Sequence, residues 1–368
     1  MMVVGPTGVG KSSLLNSLLC PAKWSTEFED CHFRTENSVG SVTKVIKKIV
    51  GPWLGNTEAS VIPQVKVFDT PGLGDSDGLG DTDTLEAMID VINSEPVQSI
   101  LIVFKGVDRF SKHIQKQLRT LEYILGPQLW DHVITVFTFW GFSTQDIKKR
   151  VKTCIKERKG QFGGNVIKTR DFCRQFDFEN EKLQEMTEGF EKYLGVTKRF
   201  PYAFPHPVFE YEDENERNTF FANAKTIYDN AKTMSPLHCD AECQRRLEIA
   251  LKSGKRTPFV LGKELQRFDA GEKIFLECHL YLGLGNSTGR EIRWWQNSSL
   301  LNAQDIRQRN IQFEDRIVLD VIKESRLIIP NAIFNDAGTY KCSTTEKRKV
   351  FKSLQVTVRV LPRKYNKY

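Results

Sequence analysis

The apolar positions along this chain follow two rhythms, and the change between them comes once. Up to about residue 205, short continuous apolar runs alternate with segments whose apolar residues recur every three or four positions. Residues 2–4, 65–68, 99–104 and 133–137 are runs of the kind that fill both faces of a buried parallel strand. Between them, 12–19 and 114–125 read as helices, the second stopped by Gly126-Pro127. Ile147, Val151, Cys154 and Ile155 line one face of a basic helix, and Leu183, Met186, Phe190 and Leu194 line one face of another. The repetition predicts an open α/β sheet covered by helices.

Past residue 205 an acidic stretch, 210–216, leads into a helix carrying Phe220, Phe221, Ala224, Ile227, Tyr228 and Ala231, with Pro236 as its breaker. A second helix over 241–251 runs into the polar Gly/Pro stretch 253–258, which has the composition of a linker. From about Glu264 the period drops to two. Leu276, Cys278 and Leu280 point one way, Ile292 and Trp294 do so on the next strand, and 336–342 ends the series with Tyr340 two residues before Cys342. That Cys, Trp, Tyr, Cys spacing resembles an immunoglobulin sandwich with its tyrosine corner. Trp294 is expected in the core and Trp295 on the opposite face.

Composition adds bounds. With 368 residues, 40% of them hydrophobic, the chain can bury two cores. The sequence has no run of 18 apolar residues and no basic-then-apolar start, so no membrane span is expected and the default location is cytoplasmic. The formal charge of +7 comes entirely from residues 255–368, which hold 21 Lys+Arg against 12 Asp+Glu; residues 1–254 hold 32 against 34. Arg290, Arg293, Arg307, Arg309 and Arg363-Lys364 contribute to that excess. It fits an acidic partner or a plain solvated face, and the absence of a base-stacking platform or groove motif argues against nucleic acid. The eight cysteines are too scattered for a disulfide framework, and most are expected as buried thiols. Cys239 and Cys243, beside His238, have no second ligand pair at zinc spacing. Cys278 and Cys342 are expected within bridging reach, but reduced in a cytosol.

The chemistry is concentrated near the N-terminus. Gly5-Pro6-Thr7-Gly8-Val9-Gly10-Lys11-Ser12, with Ser13 following, lies between a strand and a helix. Such a loop turns its backbone N–H groups around a phosphate, and the helix N-terminus adds its positive dipole end. Lys11 would neutralise the β- and γ-phosphates and Ser12 would hold Mg²⁺ through its hydroxyl. The strand feeding this loop leaves only four residues before Gly5, short for a central strand and suggestive of a truncated start. Asp69-Thr70-Pro71-Gly72 ends a later strand, where the Asp69 carboxylate can reach the Mg²⁺ shell and Gly72 a γ-phosphate. Thr43 is the expected second hydroxyl ligand, with Thr35, Ser38 and Ser41 competing.

These residues resemble the septin-like GTPases related to the immunity-associated GTPases. The likeness runs over about residues 1–235 and rests on the loop through Leu19, on Ser41-Val42-Thr43-Lys44, on Asp69-Thr70-Pro71-Gly72-Leu73, and on Arg109-Phe110-Ser111 through Leu129 to Thr138. It implies a G domain that binds GTP or GDP with Mg²⁺, Thr43 in switch I, Asp69 in switch II, Lys11, Thr43 and Gly72 in catalysis, Thr138 at the nucleotide, and dimerisation governed by nucleotide. Two departures stand out. Gly141 occupies the place where that family carries a guanine-reading Asp, which leaves an ATPase as an alternative; Phe139 or Trp140 can stack on a base, and Asp146 substitutes only if the loop folds back. Leu73 follows Gly72 where small GTPases put a water-orienting Gln, so hydrolysis is expected to be slow, the other reading being a scaffold that does not hydrolyse at all. A mobile loop is expected over 74–83. The organisation expected is a three-layer P-loop G domain (1–205), a helical extension (206–254), a linker (255–263), an all-β immunoglobulin-like domain for protein binding (264–361) and a basic tail (362–368).

Overall fold

The computed structural model describes residues 1–19, 45–53, 63–73, 79–205, 214–253, 258–261, 264–282, 291–346, 349–353 and 355–362. Two compact units make up the chain, one from residues 1–75, 87–115 and 128–238, the other from 76–86, 116–127 and 239–368.

In chain order the first elements are β1 (Met2–Val4), α1 (Lys11–Leu19), β2 (Lys47–Pro52), β3 (Gln64–Asp69), α2 (Leu79–Ser94), β4 (Ile100–Lys105), α3 (Lys112–Leu125), β5 (Val133–Thr138), α4 (Thr144–Glu157), α5 (Val166–Gln175), α6 (Phe178–Leu194), β6 (Tyr202–Ala203) and α7 (Glu214–Ala231). Their strands form one sheet in the order β2-β3-β1-β4-β5-β6. Its neighbours are parallel apart from β2, which runs antiparallel to β3. The apolar runs are buried on both faces, as a parallel sheet requires. On one face Val3, Val67, Leu101, Val103, Ile134 and Val136 pack with Leu14, Leu15 and Leu18 of α1 and with Phe220, Ala224 and Ile227 of α7. Met2, Phe68, Ile100, Ile102 and Phe137, the intervening residues, are buried as well. Each such side chain contributes about 1.5–3 kcal/mol. Trp53, fully buried, donates its indole N–H to the Ala224 carbonyl at 3.2 Å and so fixes the end of β2 against α7.

The second set of elements is α8 (Ala241–Ser253), β7 (Phe259–Leu261), β8 (Leu265–Asp269), β9 (Ile274–Tyr281), β10 (Ile292–Gln296), β11 (Ser299–Leu300), α9 (Ala303–Gln308), β12 (Gln312–Val318), β13 (Ile322–Ile329), β14 (Gly338–Glu346), β15 (Lys349–Lys352) and β16 (Val356–Leu361). Two sheets, β11-β10-β14-β16-β8 and β12-β13-β9-β7, share one core that includes Leu276, Cys278, Trp294, Leu327, Tyr340, Cys342 and Val358. The pairing is antiparallel except that β8 runs parallel to β16. Trp294 donates to Ser325 Oγ at 3.0 Å inside the core, and the Tyr340 hydroxyl donates to the Asp336 carbonyl at 2.8 Å, closing the tyrosine corner. Trp295, on the opposite face of β10, donates to Ser343 Oγ at 2.7 Å with Lys352 Nζ 3.9 Å above its ring.

Several expectations need correction. Six of the cysteines are bonded rather than thiols: Cys154–Cys173, Cys239–Cys243 and Cys278–Cys342. Packing of α4 beside α5 brings the first pair to a Cα separation of 5.9 Å, and the sandwich brings the third to 6.4 Å, both within bridging range. Ile147 is 42% exposed rather than inward, because Cys154 alone is the fully buried residue of α4. Helix already begins at Leu79 within the stretch expected as a loop, while 74–78 lie outside the described residues. Helix α8 falls within the helical extension expected over 206–254, and one short helix, α9, stands between strands of the sandwich. Cys20, Cys31, Thr35, Ser38, Ser41, Thr43, Arg290, Arg363 and Lys364 lie outside the described residues. Among the described residues, no helix is long and apolar enough to cross a membrane.

Candidate nucleotide-binding site

Because β1, β3, β4 and β5 are parallel, the residues that follow them emerge along one edge of the sheet, where open α/β folds place their ligands. β1 ends at Val4 and the chain turns through the glycine-rich loop into α1. Gly10 adopts φ +84°, a left-handed conformation that glycine takes without a Cβ penalty, and Leu14 N–H bonds its carbonyl at 2.8 Å to begin the helix. Lys11, only 7% exposed, folds its ammonium over the loop and donates to the carbonyls of Gly5 at 3.1 Å and Pro6 at 3.0 Å. Pro6, Thr7, Gly8 and Val9 form the turn between those anchors, and Ser12 and Ser13 stand in the first helical turn.

Register places Asp69 beside Val3. Asp69 is 1% exposed, and the Ser12 hydroxyl donates to its Oδ2 at 2.6 Å, joining two motifs 57 residues apart. Thr70 Oγ1 donates to the Val3 carbonyl at 2.7 Å, and Leu73 N–H to the Gly5 carbonyl at 3.3 Å, so the segment after β3 is laced to the loop. Gly72 is confined by contact: a Cβ there would lie 1.8 Å from Thr7 Oγ1 and 2.7 Å from its Cα. The Thr7 hydroxyl oxygen, buried at this junction, has no hydrogen-bond partner among the described residues. A buried hydroxyl awaiting a partner, with a hydroxyl and a carboxylate oxygen in contact beside it, fits a phosphate and a hard, oxygen-seeking cation such as Mg²⁺. Leu73 is 3% exposed and faces the core, away from any role in placing water.

The far end of the site is built by β5. Thr138 Oγ1 donates to the Val9 carbonyl at 2.5 Å, with the Phe104 carbonyl 3.1 Å away, so the phosphate loop and the end of β5 are coupled directly. The two aromatic residues that follow differ. Trp140 is 8% exposed, donates to Glu179 Oε1 at 2.7 Å and carries the Arg150 guanidinium 4.8 Å over its ring. Phe139, at φ +55°, is 51% exposed, and its ring lies against Gly10, whose Cβ would stand 3.3 Å from Cε2. Sequence pattern alone had no means of separating a core indole from an exposed ring in adjacent positions.

A strand, glycine loop and helix carrying a buried lysine, with a serine and an aspartate in contact at the edge of a mostly parallel sheet, define a P-loop nucleotide-binding domain. The chain belongs to the AIG1 family, whose model matches residues 1–194, and its N-terminal part is a nucleotide-binding GTPase domain of that family. Among curated proteins it is similar to Immune-associated nucleotide-binding protein 10 of Arabidopsis thaliana, at 31% identity over 140 residues, 38% of this chain and 27% of that one. Immune-associated nucleotide-binding protein 13 of the same plant is 28% identical over 142 residues, 38% of this chain and 37% of the relative. The match thus spans well under half of either relative. Solved structures similar to part of the chain include the BTLA ectodomain (18% identity, TM-score 0.23, 28% of this chain and 98% of that one) and the swine CD8aa homodimer (16%, TM-score 0.23, 28% and 97%).

Proposed function

We propose that this protein is a GTP-binding, Mg²⁺-dependent switch with slow GTPase activity, joined to an immunoglobulin-like module that binds a protein partner. The observation that carries the reading is the meeting of Ser12, Asp69 and Gly72 with the loop around Lys11. In it, the backbone N–H groups at the start of α1 and the Lys11 ammonium hold the β- and γ-phosphates. Ser12 and Asp69, with Thr43, would hold Mg²⁺, which when bound neutralises charge on the phosphate oxygens. Gly72 and Leu73 follow the γ-phosphate because they are bonded and packed onto the loop itself. Buried Leu73 supplies no group to orient water, which is the physical basis for a slow intrinsic rate and for a second copy of the chain accelerating it by completing the site. The outward face around Trp295 and Lys352 is the place on the sandwich for a protein partner. A nucleotide switch belongs in the cytoplasm.

Single-turnover hydrolysis tests the enzymatic part. Protein loaded stoichiometrically with GTP and Mg²⁺ is expected to cleave it slowly, and faster once protein concentration favours dimers. GTP left uncleaved under both conditions reduces the protein to a nucleotide-binding scaffold.

A further inference from the structure

After Thr138 the backbone turns at Phe139 and brings Gly141 against the first turn of α4. Asp146, in that turn, reaches back: a Cβ built on Gly141 would lie 2.0 Å from its Oδ2 and 2.7 Å from its Cγ. The Asp146 carboxylate therefore fills the space that a side chain at position 141 would take. It is held there. Ser143 Oγ donates to Oδ2 at 2.8 Å and accepts from the Asp146 N–H at 3.1 Å, Lys149 Nζ lies 3.3 Å from Oδ1, and Arg150 Nη1 donates to the Gly141 carbonyl at 2.7 Å. The carboxylate is 34% exposed on a cleft of about 470 Å³, and Phe139 lines the same cleft. Since the Phe139 ring also packs on Gly10, the cleft adjoins the phosphate loop.

We propose that Asp146 is the residue that selects the base of the bound nucleotide. Its carboxylate accepts from the N1–H and the 2-amino group of guanine, while Phe139 packs against the ring. Adenine offers an acceptor at N1 and no 2-amino group, so it would set a lone pair against a partly desolvated carboxylate and make neither bond. Hypoxanthine keeps N1–H but lacks the amino group and loses one of the two bonds. Specificity thus comes from α4 rather than from the residue that ends the β5 turn. The inference rests on the reading of Gly5 to Ser12 as a phosphate site.

The test is a set of affinities for GDP, IDP, ADP and XDP, measured by titration calorimetry with Mg²⁺. Wild-type protein is expected to bind GDP about tenfold more tightly than IDP and on the order of a hundredfold or more above ADP, given the strength of hydrogen bonds to a charged group. Asp146→Asn should weaken GDP by about tenfold or more and place XDP above it, because the amide now donates to the 2-oxo group. Asp146→Ala should level GDP with ADP, and adding Gly141→Asp to that variant should restore the preference by returning a carboxylate to the vacated space. A helix-capping role alone would move none of these ratios. Unchanged selectivity in Asp146→Asn overturns the proposal. If the variants fail to fold, a wild-type GDP-to-IDP ratio near one overturns it as well. Wild-type protein that binds no diphosphate of any base removes the phosphate site, and this inference with it.

Discussion

In the N-terminal unit the buried polar side chains Lys11, Asp69, Thr70 and Thr138, with half-buried Ser12, gather where β1, β3 and β5 end, and what they surround is a loop. In the C-terminal unit the corresponding groups close on each other. Arg309 donates to Asp336 Oδ1 at 2.9 Å and to Gln296 Oε1 at 2.6 Å, Asp336 Oδ2 accepts from the Ile333 N–H at 2.8 Å, and the Tyr340 hydroxyl donates to the Asp336 carbonyl. Both arrangements satisfy buried polarity, yet one is aimed at a ligand and the other at the fold. Removing a polar group from the first should therefore cost binding, and from the second stability.

The largest effect expected is from Lys11→Ala, which removes the cation of the loop. Binding of either guanine or adenine diphosphate should fall below detection in calorimetry, with the melting of the sandwich unchanged. Asp336→Ala leaves the Arg309 guanidinium without its carboxylate, 19% exposed within the fold. It should destabilise the second unit by about 3–5 kcal/mol in urea unfolding, with nucleotide affinity intact. A loss of nucleotide binding in that variant would break the comparison.

The smallest effect concerns pH. Burial pushes the Tyr340 hydroxyl up to about 12, with the neighbouring Arg309 pulling the other way. An unfolded tyrosine ionises near 10, so the folded state favours the proton: the stability this group supports is whole below pH 10 and drains as pH rises to 12. Denaturant unfolding should register a loss of roughly 3 kcal/mol across that window. Tyr340→Phe should abolish this alkaline term and cost about 1 kcal/mol at neutral pH through the bond to the Asp336 carbonyl.

Sequence pattern made the loop, the strand ending at Asp69, the core Trp294 and the tyrosine corner legible, because each depends on spacing within a few residues of one element. What it left hidden depends on how elements pack. The Cys154–Cys173 bond requires α4 to lie beside α5, and neither cysteine carries a local sign of the other. Strand β2 escaped notice because Lys47, Lys48 and Val50 are exposed, giving an edge strand no apolar run. Asp146 was legible in the sequence only as a conditional substitute, since the folding of α4 back on Gly141, which places its carboxylate, depends on packing.

The central claim is that the N-terminal unit is built to hold a guanine nucleotide through the loop at Lys11. Chromatography of the nucleotide released on denaturing freshly purified protein tests it most directly. Guanine nucleotide from the wild type and none from Lys11→Ala is the expected result. Adenine nucleotide alone, or equal retention by the two proteins, would contradict it.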